Sequence, residues 1–202
     1  ELGLGYRTSN LKHRHDFVVV AVSFWLNDDR VSQPIRYREL ATRVGVEPDD
    51  RVDAATGRAA VLDLRAGKGM VLDTTDFDTW SAGSFFTNPI VPGDDAPAVL
   101  DRIAARVGDD VAIPTYRAGT DDTDAAIKLS AGWLIERAGF HRGHPGPDAA
   151  VRLSTKHTLA LTNRGAATTA QLLDLAREVR DGVVEAFGVT LRPEPVLVNC
   201  SL

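Results

Sequence analysis

The chain has 202 residues, enough for one large domain or two small ones, and its 44% hydrophobic and 25% charged fractions are those of an ordinary globular protein. A net charge of −5 without any Lys/Arg run argues against a nucleic-acid-binding face, although a pocket in an acidic protein can still be locally basic. Cys200 is the only cysteine, which excludes an internal disulfide framework and points to a reducing, cytoplasmic home, and no apolar run approaches membrane-span length. The chain opens at Glu1 with neither an initiator methionine nor a signal-like segment, so an upstream part is expected to be missing.

Residues 17–26, a β-branched and aromatic run closed by Asn27-Asp28-Asp29, are predicted to form a buried strand. Short helices follow over 37–44, stopped by Gly45, and over 58–66, stopped by Gly67 and Gly69. Gly93-Asp94-Asp95-Ala96-Pro97 reads as a boundary, with the proline in a first helical turn. Val99, Ile103 and Val107 then mark one helix face, 111–116 is a short strand or loop, and 125–138 reads as a helix closed by Gly139. A strand over 153–163 leads to the longest helix, capped by Thr168 or Thr169 and stopped at Phe187-Gly188. Residues 189–198 return as an extended strand broken by Pro193 and Pro195. The class is α+β, in two lobes joined near 89–95.

No metal site is expected. His13 and His15 flank Arg14 and would point to opposite sides of a strand, His141 and His144 lie in a glycine/proline-rich loop, and no carboxylate stands at ligand spacing. Neither type of glycine-rich nucleotide-phosphate loop occurs. Within 68–88, Ser84 sits on a glycine turn beside Phe85, Phe86 and Asn88, where a hydroxyl can meet a reacting carbon in a dry pocket. On spacing alone, the same residues also fit a tight turn whose phenylalanines plug a core. Arg7, Tyr37, Arg65, Lys68, Tyr116, Lys128 and Glu194 complete a scattered set of cations, tyrosines and one carboxylate. That inventory suits a phosphorylated, carboxylate-bearing substrate.

Four segments carry a resemblance. Gly5-Tyr6-Arg7-Thr8-Ser9, Gly83-Ser84-Phe85-Phe86-Thr87-Asn88-Pro89, Lys128-Leu129-Ser130-Ala131-Gly132-Trp133-Leu134-Ile135 and Leu191-Arg192-Pro193-Glu194 resemble motifs of the UDP-N-acetylenolpyruvoylglucosamine reductase family, in the family's order. Two departures stand out: Thr87 replaces a common lysine, and Pro195-Val196 follows Glu194 where Val-Arg is usual. The Tyr116 loop and Trp133 helix resemble the branch with an extra substrate-covering loop. The resemblance implies the end of a PCMH-type flavin-binding domain over 1–92 and a UDP-sugar substrate-binding domain with a return strand over 93–202.

The same resemblance implies NADPH-dependent, FAD-mediated reduction of UDP-N-acetylglucosamine enolpyruvate in peptidoglycan synthesis, by a monomer. Arg7 and Glu194 would polarise the substrate carboxylate and Ser84 would protonate the adjacent carbon, with Tyr6 and Arg7 beside the flavin. Lys68, Tyr37, Asn88 and Tyr116 would hold the diphosphate, with Lys128 and Arg142 as further candidates. A non-catalytic sugar-nucleotide-binding fragment is the alternative, and an oxidase of the wider flavin fold would explain neither Gly83-Ser84 nor Glu194.

Overall fold

Capping residues set the helix ends. In the structure, a computed structural model that describes residues 2–5, 7–12, 14, 16–118 and 125–202, α1 (Arg38–Val44) ends at Gly45. The Gly45 φ of 76° turns its N–H back to the Ala41 carbonyl. α2 (Ala54–Gly67) starts at 54 rather than 58, because the Asp53 carboxylate accepts from the Thr56 N–H. α3 (Ala96–Val107) carries Pro97 in its first turn and buries Ile103. α5 (Thr169–Phe187) is the expected long helix, and Thr168 and Gln171 close its start with a reciprocal capping box.

The described residues form two three-stranded antiparallel sheets, so the class is α+β as expected. One runs β1 (Ser81–Ser84), β6 (Ala160–Asn163), β5 (Val151–Leu153), and the other β2 (Ile90–Val91), β4 (Ile127–Leu129), β3 (Thr115–Arg117). The helix expected over 125–138 is divided between the two kinds of element. Ile127 and Lys128 pair with both β2 and β3, and only then does Ser130 accept from the Trp133 N–H to start α4 (Ala131–Arg137). The strand expected over 153–163 is instead the β5–β6 hairpin, its turn nucleated by the Ser154 hydroxyl, which accepts from the Lys156 and His157 N–H groups.

Two expected strands are absent. Residues 17–26 form no strand, and Val20, Phe24 and Trp25 are fully solvent-facing. β-branched composition favours extension, but a strand needs a ladder partner, and no described residue pairs with this run. Residues 189–198 make one isolated bridge, Phe86 to Pro193, because two prolines remove the N–H groups a longer ladder needs.

The core lies where α5 crosses the rest of the fold. Ala176, Val179, Val183 and Phe187 pack in one buried cluster with Ile103, Leu134, Ile135, Leu153, Leu161, Phe85 and Phe86. α5 carries Gly182 within this packing, although alanine is favoured there by about 1 kcal/mol on helix propensity alone. The reason is close approach: a Cβ on Gly182 would lie 2.4 Å from the Phe140 ring. Gly182→Ala should therefore lower stability, by the roughly 1–3 kcal/mol typical of overpacking. The check is the urea midpoint at unchanged m; a raised midpoint would mean the Phe140 ring moves aside freely.

Candidate active site

Ser84 closes β1, and a bulge rather than a turn aims it. Gly83 holds φ at +79°, a region closed to most side chains, and the β1–β6 register shifts between Ser81 and Ser84 so that Ser84 pairs with Ala160. The chain then bonds on both sides. The Phe85 N–H donates to the Leu159 carbonyl, while the Glu194 N–H donates to the Phe85 carbonyl, each at 2.8 Å. Phe85 and Phe86 stack edge-on at 5.0 Å and belong to the core, not to the walls around Ser84.

A cavity of ≈ 660 Å³ opens beside Ser84, lined by Arg7, Arg65, Lys68, His157 and Glu194 among others. The Arg7 guanidinium donates to the Glu194 carboxylate across a sequence separation of 187 residues. Lys68 reaches the site from the C-cap of α2, and its Nζ lies 2.5 Å from the Glu39 carboxylate on α1. Sequence reasoning thus brought Arg7, Lys68, Ser84 and Glu194 to one place.

It missed His157. This residue sits in the β5–β6 turn, which only the pairing of Ser84 with Ala160 brings to the cavity. Burial, and then the positive charges of Lys68 and Arg142, hold its imidazole below the ordinary value, against the opposing Glu136 carboxylate.

Other expected site residues lie elsewhere. Asn88 lines a neighbouring cleft of ≈ 810 Å³ with Lys12, Arg192 and the same Arg7–Glu194 pair, and its Oδ1 accepts from the Ala131 N–H at 2.9 Å. Tyr37 is exposed and borders an apolar cleft between α1 and α2 with Ile35, Leu40, Val61 and Leu62. Tyr116 and Lys128 face each other across β3 and β4, with the ammonium 5.8 Å from the ring centroid. Arg142 lies 3.7 Å from the Glu136 carboxylate. Tyr6, His13 and His15 lie outside the described residues. Among the described residues, no group of His, Cys, Asp and Glu could hold a metal ion, and no helix is long and apolar enough to cross a membrane.

Residues 75–198 match the family model for UDP-N-acetylenolpyruvoylglucosamine reductase, C-terminal domain. The chain belongs to this family. It is 63% identical over 202 residues to a relative from Saccharopolyspora erythraea that bears the reductase name. It is also 59% identical over 201 residues to the reductase of Mycolicibacterium gilvum and 59% identical over 202 residues to that of Nocardia farcinica. All of this chain is covered each time, against 54%, 54% and 51% of those relatives. The chain therefore spans about half the length of the curated relatives it matches.

In this reductase-family chain, two carboxylates, Asp78 and Asp76, fasten the turn that carries His157. The Asp78 carboxylate, 7% exposed, accepts from the Thr155 N–H and Arg164 Nη1, each at 3.0 Å, and from the Thr155 hydroxyl. Asp76 accepts from Lys156 Nζ at 2.5 Å. Burial pushes the Asp78 carboxyl up, but the Thr155 and Arg164 donors outweigh it and hold the group below its ordinary value. Asp78→Ala would strand the Arg164 charge, and breaking a buried pair in this way costs about 3–5 kcal/mol. Because the folded-state carboxyl titrates below the ordinary 3.8, its contribution is complete above that value and is lost as pH falls through the lower one. Urea unfolding of both proteins should show the gap at neutral pH and its narrowing in acid. A gap that is absent at neutral pH, or that widens in acid, would remove this role.

Proposed function

We propose that this chain is the substrate-binding part of a cytoplasmic, monomeric reductase that uses FAD and NADPH to convert UDP-N-acetylglucosamine enolpyruvate into UDP-N-acetylmuramate for peptidoglycan synthesis. The observation that carries this reading is the convergence of Ser84, Lys68 and the Arg7–Glu194 pair on one cavity. The names borne by its relatives point the same way. The division into a flavin-domain end over 1–92 and a substrate domain over 93–202 belongs to the same proposal.

The residues present do not fit a whole flavin. A flavin pyrophosphate needs clustered backbone N–H donors, and the sequence has no glycine-rich loop of that kind. The steps assigned to this chain are therefore substrate binding and protonation. Lys68 is the cation for the diphosphate, with Tyr37, Asn88, Tyr116, Lys128 and Arg142 proposed around the rest of the ligand. Arg7 and Glu194 address the enolpyruvyl carboxylate. As the terminal carbon gains hydride, the electron pair of the double bond moves to the carboxylate-bearing carbon, and the Ser84 hydroxyl donates its proton there. A serine is a weak acid, so it serves only from a fixed position against a strongly basic carbon.

Two experiments test these roles. In the holoenzyme, Ser84→Ala should leave flavin bleaching by NADPH near wild type. Flavin re-oxidation by the enolpyruvyl substrate should slow by at least the roughly 10²–10⁴-fold of one acid–base group. Ser84→Cys should recover part of that loss. Stopped-flow absorbance separates the two half-reactions, and equal slowing of both would return Ser84 to a structural role.

Lys68→Ala should raise KM, with a loss of about 1–3 kcal/mol for a charge-assisted contact. Glu39→Gln should do the opposite. It frees the Lys68 ammonium from an exposed pair worth at most about 1 kcal/mol, so KM should fall about two- to fivefold. A Lys68→Ala effect confined to kcat would place Lys68 in the chemistry instead.

A further inference from the structure

His157 has no part in the reductase reading above, yet it borders the same cavity as Ser84 and Lys68. Its ring is oriented by its own turn: Nδ1 accepts from the Leu159 N–H at 3.2 Å. A nitrogen that accepts a hydrogen bond carries no proton, so in the neutral ring the proton sits on Nε2. Nε2 makes no hydrogen bond among the described residues and is not sealed from solvent. Its backbone is fixed as well. The His157 N–H donates to the Ser154 hydroxyl at 3.2 Å, and the His157 carbonyl accepts from the Ala160 N–H at 3.0 Å, next to the Ser84–Ala160 pairing.

We infer that His157 is a further substrate-positioning residue, a tautomer-locked neutral imidazole whose Nε2–H donates to an anionic oxygen, phosphate or carboxylate, of the ligand in the Ser84 cavity. Several features keep the ring neutral. Protonating Nδ1 would set its N–H against the Leu159 N–H. Lys68 from α2 and Arg142 from the loop after α4 add positive charge, Arg65, Arg7 and Glu194 share the cavity, and only Glu136 on α4 favours the imidazolium. A neutral donor gives direction to a site whose cations supply charge with little direction.

The inference rests on reading the cavity as a nucleotide-sugar site, and the experiment separates the two. ¹⁵N NMR of the full chain should show His157 as the Nε2–H tautomer at pH 7. Inorganic pyrophosphate and UDP-N-acetylglucosamine should each move its Nε2 resonance. If pyrophosphate moves it and the nucleotide sugar does not bind, the anchor stands and the nucleotide-sugar reading falls. If the nucleotide sugar binds and leaves His157 unmoved, or neither probe moves it, the anchor is overturned.

In the holoenzyme, a glutamine amide nitrogen reaches about as far as Nε2 and an asparagine amide does not. His157→Gln should therefore keep KM within about threefold, while His157→Asn and His157→Phe raise it about tenfold, the loss of one hydrogen bond. kcat should change less, and the pH profile of the Gln variant should match wild type. Equal effects of all three substitutions, or an Nδ1–H tautomer, would overturn the inference.

Discussion

The backbone hydrogen bonds of residues 81–88 hold the site together. On one edge, β1 pairs with β6 and brings up the turn that carries His157. On the other, Phe85 and Thr87 bond to residues 192–194 and fix Glu194. Asn88 then caps the start of α4. A slip of one residue along this segment would bring Phe85 out of the core to the position where Ser84 lines the cavity. Gly83 prevents this by absorbing the bulge at a positive φ. The geometry of the cavity and the packing of the core therefore share one register, and neither can drift without the other.

Charge around the cavity divides into pairs that can exchange partners and one that cannot. Arg7–Glu194, Lys68–Glu39 and Arg142–Glu136 are all partly solvent-exposed, and exposed pairs contribute little to stability. An arriving anion can take the cation while water re-solvates the carboxylate. Asp78–Arg164 is different. Both groups are largely buried, the carboxylate has three donors, and losing either partner leaves an uncompensated charge. The exchangeable pairs line or flank the cavity beside Ser84, whereas Asp78 of the buried pair holds the turn behind it through Thr155. Under the proposed reading, a protein of net charge −5 in this way keeps a cation-rich cavity that carboxylates cover between ligands.

Features governed by local chemistry were legible in the sequence. Gly45, Thr168 and Gly188 end or start helices through their own backbone or hydroxyl groups, and these ends lie where expected. The family was also readable, because its motifs are short runs of specific residues. What escaped depends on partners remote in sequence. The run at 17–26 has strand composition without a ladder, and Ile127-Lys128-Leu129 looks helical until β2 and β3 claim it. Phe85 and Phe86 fit either pocket walls or a core plug on spacing, and only the packing decides for the core. His157 escaped because a lone histidine in a polar turn carries no signal until β1 pairs with β6. Tyr37, Tyr116 and Lys128 were grouped with Ser84 on chemistry alone; Tyr37 borders the cleft between α1 and α2, Tyr116 and Lys128 pair across β3 and β4, and none of the three lines the cavity beside Ser84.

Under the proposed reading, Arg7 must serve two acceptors at once. A guanidinium has five N–H donors in a planar fork, and one of them is committed to Glu194. The others remain for a substrate carboxylate, which the fork matches with two parallel bonds. Glu194 then orients the fork and limits its net field. A free guanidinium would hold the substrate carboxylate equally well before and after reduction, and uniform binding of that kind does not accelerate chemistry. A partly compensated one gains most when negative charge builds up on the enolpyruvyl group, which is also when Ser84 must give up its proton. The fixed neutral donor of His157 suits the same requirement, since an added full charge would strengthen the ground state as much as the transition state.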